Sequence, residues 1–190
     1  MIASTADRRS RRRERVVTAF RARFHRAPEI VVDAPGRIAL LGAHIDDSEG
    51  FALPIAIDRG IALAAARAPG RQSTWRALDL DDEVALDPEA LPAPLPERGG
   101  AARWSDLPAG VLRALRSAGG RAAQPPALEV VFGGDLPSGV GLSSSAAVSV
   151  ACLLAWREAA AIDLERGDLV HLARRAERKQ LGVAVGVLDP

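Results

Sequence analysis

The sequence predicts an α+β fold, and three observations carry that expectation. Short β-like runs separated by turn residues crowd the first half of the chain, whereas segments with apolar residues three and four apart dominate the second half. The separators are Pro-Gly, Asp-Asp-Ser-Glu-Gly and Asp-Arg-Gly turns, so the strands read as hairpins in a mixed or antiparallel sheet. A length of 190 residues, 48% hydrophobic and 26% charged, suffices to bury the core of one domain or slightly more.

The elements follow in chain order. Between Arg8 and Arg15 six arginines are broken only by Ser10 and Glu14. Residues 1–12 therefore read as a basic, flexible tail entering a helix, with an anion-binding arm as the alternative. From Arg13 to Arg26 the apolar Val16, Val17, Phe20 and Phe24 recur at helical spacing, and Pro28 ends the segment. Strands are expected at Glu29–Asp33, Arg37–Leu41, Phe51–Ile57 and Ile61–Ala66, and more weakly at Ser73–Leu78 and Glu83–Leu86. Residues 87–100 hold four prolines and two adjacent glycines, which predicts an irregular surface connection. A helix over Leu107–Ala118, a strand over Leu128–Phe132 and helices over Ser144–Ala161 and Asp163–Gln180 complete the series. On the last helix Leu169, Leu172, Ala173 and Ala176 share one stripe, with Arg174, Arg175 and Arg178 facing away.

Composition excludes several classes of function. With 25 basic and 24 acidic residues, the net charge of +1 argues against nucleic-acid binding, which needs an excess of cations on one face. No apolar stretch approaches the roughly 18 residues of a membrane span, and arginines stand where a signal peptide has its apolar segment. The single cysteine, Cys152, lies in the apolar run Ala146–Trp156 and reads as a packed thiol. A reducing cytoplasm is the expected setting.

The densest chemical signal is Gly-Gly-Asp-Leu-Pro-Ser-Gly-Val-Gly-Leu-Ser-Ser-Ser-Ala-Ala, residues 133–147, between a β-like run and an apolar helix. Glycines let the backbone approach a ligand closely, and helix N-terminal amides attract phosphate. The serines add hydroxyl donors, one of which could ligate magnesium. An ordinary turn with a serine N-cap is the competing reading. The loop is no Walker A motif, because no lysine lies near these glycines, and no Gly-x-Ser-x-Gly elbow is present.

A second motif makes the loop specific. Residues 34–57, Ala-Pro-Gly-Arg-Ile-Ala-Leu-Leu-Gly-Ala-His-Ile-Asp-Asp-Ser-Glu-Gly-Phe-Ala-Leu-Pro-Ile-Ala-Ile, closely resemble the signature near the start of galactokinases. Pro137–Ala147 resembles the phosphate-binding loop of the wider GHMP kinase superfamily. Ala176-Glu177 and Gly186-Val187-Leu188-Asp189 resemble its acidic metal-ligand and catalytic-base segments. The resemblance covers residues 13–190 and implies the ribosomal protein S5 domain 2-like fold of the GHMP kinase N-terminal domain.

The same resemblance implies ATP-dependent phosphorylation of a monosaccharide at its anomeric hydroxyl, with MgATP as donor. Asp189 corresponds to the carboxylate that accepts or orients the sugar proton, and Arg37 to a guanidinium beside the anomeric carbon. A cation there keeps the carboxylate ionised and offsets phosphate charge. His44 and Asp46 match residues that hydrogen-bond sugar hydroxyls, and Ala43 and Gly186 fall in the sugar-binding segments. Pro137, Gly139, Gly141, Leu142, Ser143, Ser144, Ser145 and Ala146 match the nucleotide loop. Glu177, with Ser145 or Ser144, matches the magnesium ligands. Trp104 matches a tryptophan near the adenine, with plain core packing an equal alternative.

Three departures qualify the match. Galactokinases carry Gly-Glu-His-Thr-Asp-Tyr-Asn where this chain has Gly42-Ala43-His44-Ile45-Asp46-Asp47-Ser48. Ala43 thus replaces the glutamate that binds the C6 hydroxyl, and galacturonokinase-like members resemble the Gly-Ala-His-Ile-Asp form. A C6 carboxylate would be repelled by glutamate and accommodated by alanine. Pro190 replaces the glutamine that usually follows the base. The chain also resembles only the N-terminal half of the family, so a C-terminal kinase half is an expected partner and the chain alone is expected to be inactive. A non-catalytic sugar or nucleotide regulator, or an inactive fragment, are the competing readings.

Overall fold

A computed structural model describes residues 4–42 and 51–186. Helix α1 (Thr5–Phe24) precedes strands β1 (Ile30–Leu41), β2 (Leu53–Arg67), β3 (Ser73–Ala77) and β4 (Asp82–Leu86). After the one-turn α2 (Leu95–Arg98) come α3 (Asp106–Ala118), β5 (Leu128–Gly134), α4 (Ser144–Ala160) and α5 (Arg166–Leu181). The five strands form one sheet in the order β1-β2-β5-β3-β4. Only the β3–β5 pair is parallel, so the sheet is mixed and the fold is α+β, as expected.

Strand periodicity assigns the two faces. On β2, Ile61, Leu63 and Ala65 join a core with Trp75, Val130, Phe132 and the buried sides of α3, α4 and α5. The intervening Ala62, Ala64 and Ala66 face the other way and meet Val16 and Phe20 of α1, together with Val131. Three alanines in alternation leave the shallow surface that lets α1 lie against the sheet. Helix α4 has buried residues around most of its circumference, from Ala146 through Cys152 to Ala159, because it lies between the sheet and the outer helices. The Trp75 and Trp156 rings meet at 5.1 Å, and Trp156 donates its indole N–H to the Pro126 carbonyl at 3.1 Å.

The N-terminus corrects the sequence reading. The arginine run, read from sequence as a flexible tail up to residue 12, belongs to a helix, because α1 begins at Thr5. Ser4 and Asp7 form a reciprocal capping box, each side chain bonded to the other's backbone N–H at 3.2 Å. Partners distant in sequence then hold the arginines in helical register: Arg8 pairs with Asp58, Arg12 with Asp33 and Asp135, and Arg15 with Asp79.

Four smaller differences have local causes. The two runs 29–33 and 37–41 form one strand, because β1 absorbs Pro35-Gly36 as a shift in register against β2. β2 likewise runs unbroken through Asp58-Arg59-Gly60. Helix α5 starts at Arg166 and not at 163, where Glu165 and Asp168 make a second capping box. Arg174 does not face away: it is half-buried and donates from Nε to the Val185 carbonyl at 3.0 Å.

Candidate functional site

The glycine-serine loop leaves β5 at Gly134 and enters α4 at Ser144. Both of its ends are tied to neighbouring strands. At the exit, the Arg37 backbone N–H donates to the Leu142 carbonyl at 3.2 Å, which sets the loop beside β1. Gly36 permits this approach: a Cβ there would lie 2.5 Å from Leu136 Cδ1 and 2.9 Å from the Leu142 oxygen. At the entry, Asp135 Oδ1 accepts from the Gly60 N–H at 2.9 Å and from Arg12 Nη1 at 2.9 Å.

Between these ties, residues 137–141 are exposed. Gly139 and Gly141 have φ of 74° and 76°, in the left-handed region, and a Cβ at either would meet no atom within 4 Å. The outer side of the loop is open. Ser143 occupies the N-cap position of α4 at φ 58°, ψ 43°, and not in the extended conformation of an ordinary capping serine. The competing reading of the sequence, an ordinary turn with a serine N-cap, does not match this left-handed conformation. Ser144 and Ser145 are half-buried in the first turn of α4, and Ala146 is buried beneath them.

The other candidate residues are distributed as follows. Arg37 is half-buried on β1, with its backbone bonded to the loop. Glu177 is 1% exposed on α5, which packs against α4. A glutamate so deeply buried is not the helix-surface residue that its sequence position also allowed. Gly186 is buried just after the stretch held by Arg174. Trp104 stacks at a tilt on Phe132 at 5.4 Å and donates its indole N–H to Asp82 Oδ2 at 2.7 Å. It thus lies against the strand that feeds the loop. Ala43, His44, Asp46 and Asp189 lie outside the described residues. Sequence reasoning missed the structural parts played by Gly36 and Asp135. The Gly36 signal was available in the Pro-Gly pair, but Asp135 depends on partners far away in the chain.

A mixed sheet covered by helices on both faces, with a glycine-serine loop running into a buried helix, is similar in fold to the N-terminal domain of GHMP kinases. Residues 106–190 match the model of the GHMP kinases N terminal domain, and residues 18–67 match the galactokinase galactose-binding signature. The chain is similar to the N-terminal part of galactokinases. It is 35% identical over 170 residues to galactokinase from Streptomyces coelicolor, which covers 90% of this chain and 42% of that protein. Galactokinase from Roseiflexus sp. is 34% identical over 170 residues, covering 90% of this chain and 41% of the relative. The crystal structure of Lactococcus lactis galactokinase complexed with galactose superposes with a TM-score of 0.76 at 25% identity, over 91% of this chain and 44% of that one. Methanococcus jannaschii mevalonate kinase shares the fold, with a TM-score of 0.68 at 16% identity over 84% of this chain and 50% of that chain. The chain therefore spans about two fifths of the length of the curated relatives it matches.

Among the described residues, no helix is long and apolar enough to cross a membrane. No group of three or more His, Cys, Asp or Glu among them could hold a metal ion by itself.

Proposed function

We propose that this chain supplies the nucleotide loop and the sugar-binding segments of an ATP-dependent monosaccharide 1-kinase. The observation that carries the proposal is the joining of two motifs remote in sequence: the Arg37 N–H donates to the Leu142 carbonyl, so the sugar-signature strand abuts the glycine-serine loop. Phosphoryl transfer needs that juxtaposition, since it depends chiefly on positioning and on stabilisation of phosphate charge.

The donor set suits magnesium brought in with a nucleotide, which typically takes one or two carboxylates while phosphates and water fill the remaining positions. Glu177, with the hydroxyl of Ser145 or Ser144, would hold it, and when bound its charge offsets that of the phosphates. The open side of the loop at Gly139 and Gly141 receives the phosphates, and the first amides of α4 face them with the favourable end of the helix dipole. Asp189 takes the proton of the anomeric hydroxyl, and the Arg37 guanidinium keeps that carboxylate ionised. His44 and Asp46 hold the sugar hydroxyls, and Trp104 borders the adenine. Ala43 favours a sugar altered at C6, galacturonate before galactose. The site belongs to a soluble, cytoplasmic enzyme.

The test is ATP-dependent formation of sugar 1-phosphates, followed by phosphorus NMR across a panel of hexoses and uronates. The chain is assayed alone and with the remaining length found in its relatives. We expect product only in the completed protein. Tight sugar or nucleotide binding without turnover in the completed protein would favour the regulator instead.

A further inference from the structure

We propose that Asp135, held by Arg12, is a positioning residue that fixes the entry of the phosphate loop; the inference rests on the nucleotide reading of that loop. The arginine run is the one strong sequence feature that the catalytic reading leaves unused, and its central member is almost wholly buried. Arg12 reaches β1 through two parallel bonds, Nε to Asp33 Oδ2 at 2.8 Å and Nη2 to Asp33 Oδ1 at 2.8 Å. The remaining nitrogen, Nη1, donates to Asp135 Oδ1 at 2.9 Å and to the Asp58 carbonyl at 3.3 Å. The side chains of Arg12 and Asp33 are 5% and 4% exposed, so this fork is shielded from water and not a screened surface pair. Burial pulls the Arg12 guanidinium down, but Asp33 and Asp135 outweigh it and hold it above its ordinary value.

Asp135 is the first residue after β5, and nearly every polar group it carries is engaged. Its carboxylate accepts from Arg12 and from the Gly60 N–H. Its own N–H donates to the Gly60 carbonyl at 3.2 Å, and its carbonyl accepts from Arg59 Nη1 at 3.2 Å. The peptide plane at residue 135 therefore has one orientation. The next side chain, Leu136, is buried beside Gly36, so the orientation passes directly into the part of the loop that meets β1. With the Leu142 tie at the other end, five exposed residues are suspended between two fixed points. Short tethers of this kind lower the ordering cost of closing a loop on a ligand.

The experiment uses the whole chain, with Mg·ADP as the titrated probe and hydrogen exchange as a second, ligand-free reading. Asp135→Ala is expected to weaken Mg·ADP about tenfold, the effect of losing a half-buried charge-assisted hydrogen bond. It should also speed exchange at amides 136–145 while leaving those of 62–66 unchanged. Asp135→Asn retains an oxygen for the Gly60 N–H and should restore part of both effects. Arg12→Lys keeps the charge without the fork and should fall between wild type and Asp135→Ala. Arg8→Met removes an α1 ion pair to the Asp58 carboxylate and leaves in place the Arg12 fork and its bond to the Asp58 carbonyl, so it should move neither reading. The inference is overturned if folded Asp135→Ala binds within about twofold of wild type with unchanged loop exchange, or if Arg8→Met matches its loss. A wild-type chain that ignores Mg·ADP removes the nucleotide reading, and the exchange comparison then decides the anchoring alone.

Discussion

Replacing Gly36 by alanine should loosen the loop from β1 without touching any charged group. The added methyl would lie 2.5 Å from Leu136 Cδ1, 2.9 Å from the Leu142 carbonyl oxygen and 3.0 Å from Leu136 Cδ2. The leucine methyls can rotate away, but the oxygen belongs to backbone that is already bonded to the Arg37 N–H. Overpacking of this kind costs about 1–3 kcal/mol, offset by about 0.4–1 kcal/mol from the stiffer unfolded chain; the net loss lies within about 0–2.6 kcal/mol, and about 1–2 kcal/mol is the middle of that range. In a chain of this size each kcal/mol lowers Tm by about 2–4 °C, so the melt should fall by about 2–8 °C. Circular dichroism melts of Gly36→Ala would be read against Gly70→Ala, whose Cβ meets nothing within 4 Å. Mg·ADP affinity, measured in parallel, should fall with Gly36→Ala only. If the two variants melt within about 1 °C of each other and bind alike, the contact between β1 and the loop is not the constraint described here.

Four further outcomes are expected. In the completed protein, Asp189→Asn should lower kcat by about 10²- to 10⁴-fold with little change in KM, and turnover close to wild type would remove Asp189 from the chemistry. Ala43→Glu should raise galactose use and depress uronate use by about tenfold or more; a wild-type preference for galactose that the substitution abolishes would reverse the assignment. Two hydrogen bonds from Arg23 hold the Glu83 carboxyl below its ordinary value of 4.5. A lowered pKa stabilises the fold above the unfolded value, so the stability gap between wild type and Glu83→Gln, about 0.2–1 kcal/mol for a partly exposed pair and read from Tm, should close as pH falls below 4.5 and persist at neutral pH. Burial pushes the Cys152 thiol well above its ordinary value, so a disulfide reagent at about pH 8 should label it only on the timescale of unfolding; immediate labelling of folded protein would contradict the packing around α4.

What the sequence disclosed divides along the range of the interactions involved. Helices α3, α4 and α5 and strands β3 and β5 were legible because their periodicity and boundaries are local, and observed and expected ends agree within a few residues. The loop was legible for the same reason, since left-handed glycines announce themselves by identity. The start of α1 was not, because an arginine run has no apolar period and its register is fixed by Asp33, Asp58, Asp79 and Asp135. The continuity of β1 across Pro35-Gly36 was hidden because Pro-Gly is ordinarily turn chemistry, and only pairing to β2 makes it a bulge. Likewise, nothing local distinguishes Ser143 in a left-handed turn from a common helix cap.

The sheet order has a consequence for how the chain reaches this structure. β2 and β3 are joined by residues 68–72, a connection short enough for a hairpin, yet they do not pair: β5 lies between them. Two hairpins, β1–β2 and β3–β4, are complete within the first 86 residues, but they share no sheet until residues 128–134 insert. Helix α1 can meet β2 earlier, but its hydrogen bond from Arg12 to Asp135 spans 123 residues and waits equally long. Joining the two hairpins therefore requires β5, and contacts this distant in sequence make for slow closure. During synthesis the first two thirds of the chain must keep the facing edges of β2 and β3 apart, and those open edges are where premature pairing or association between chains would begin.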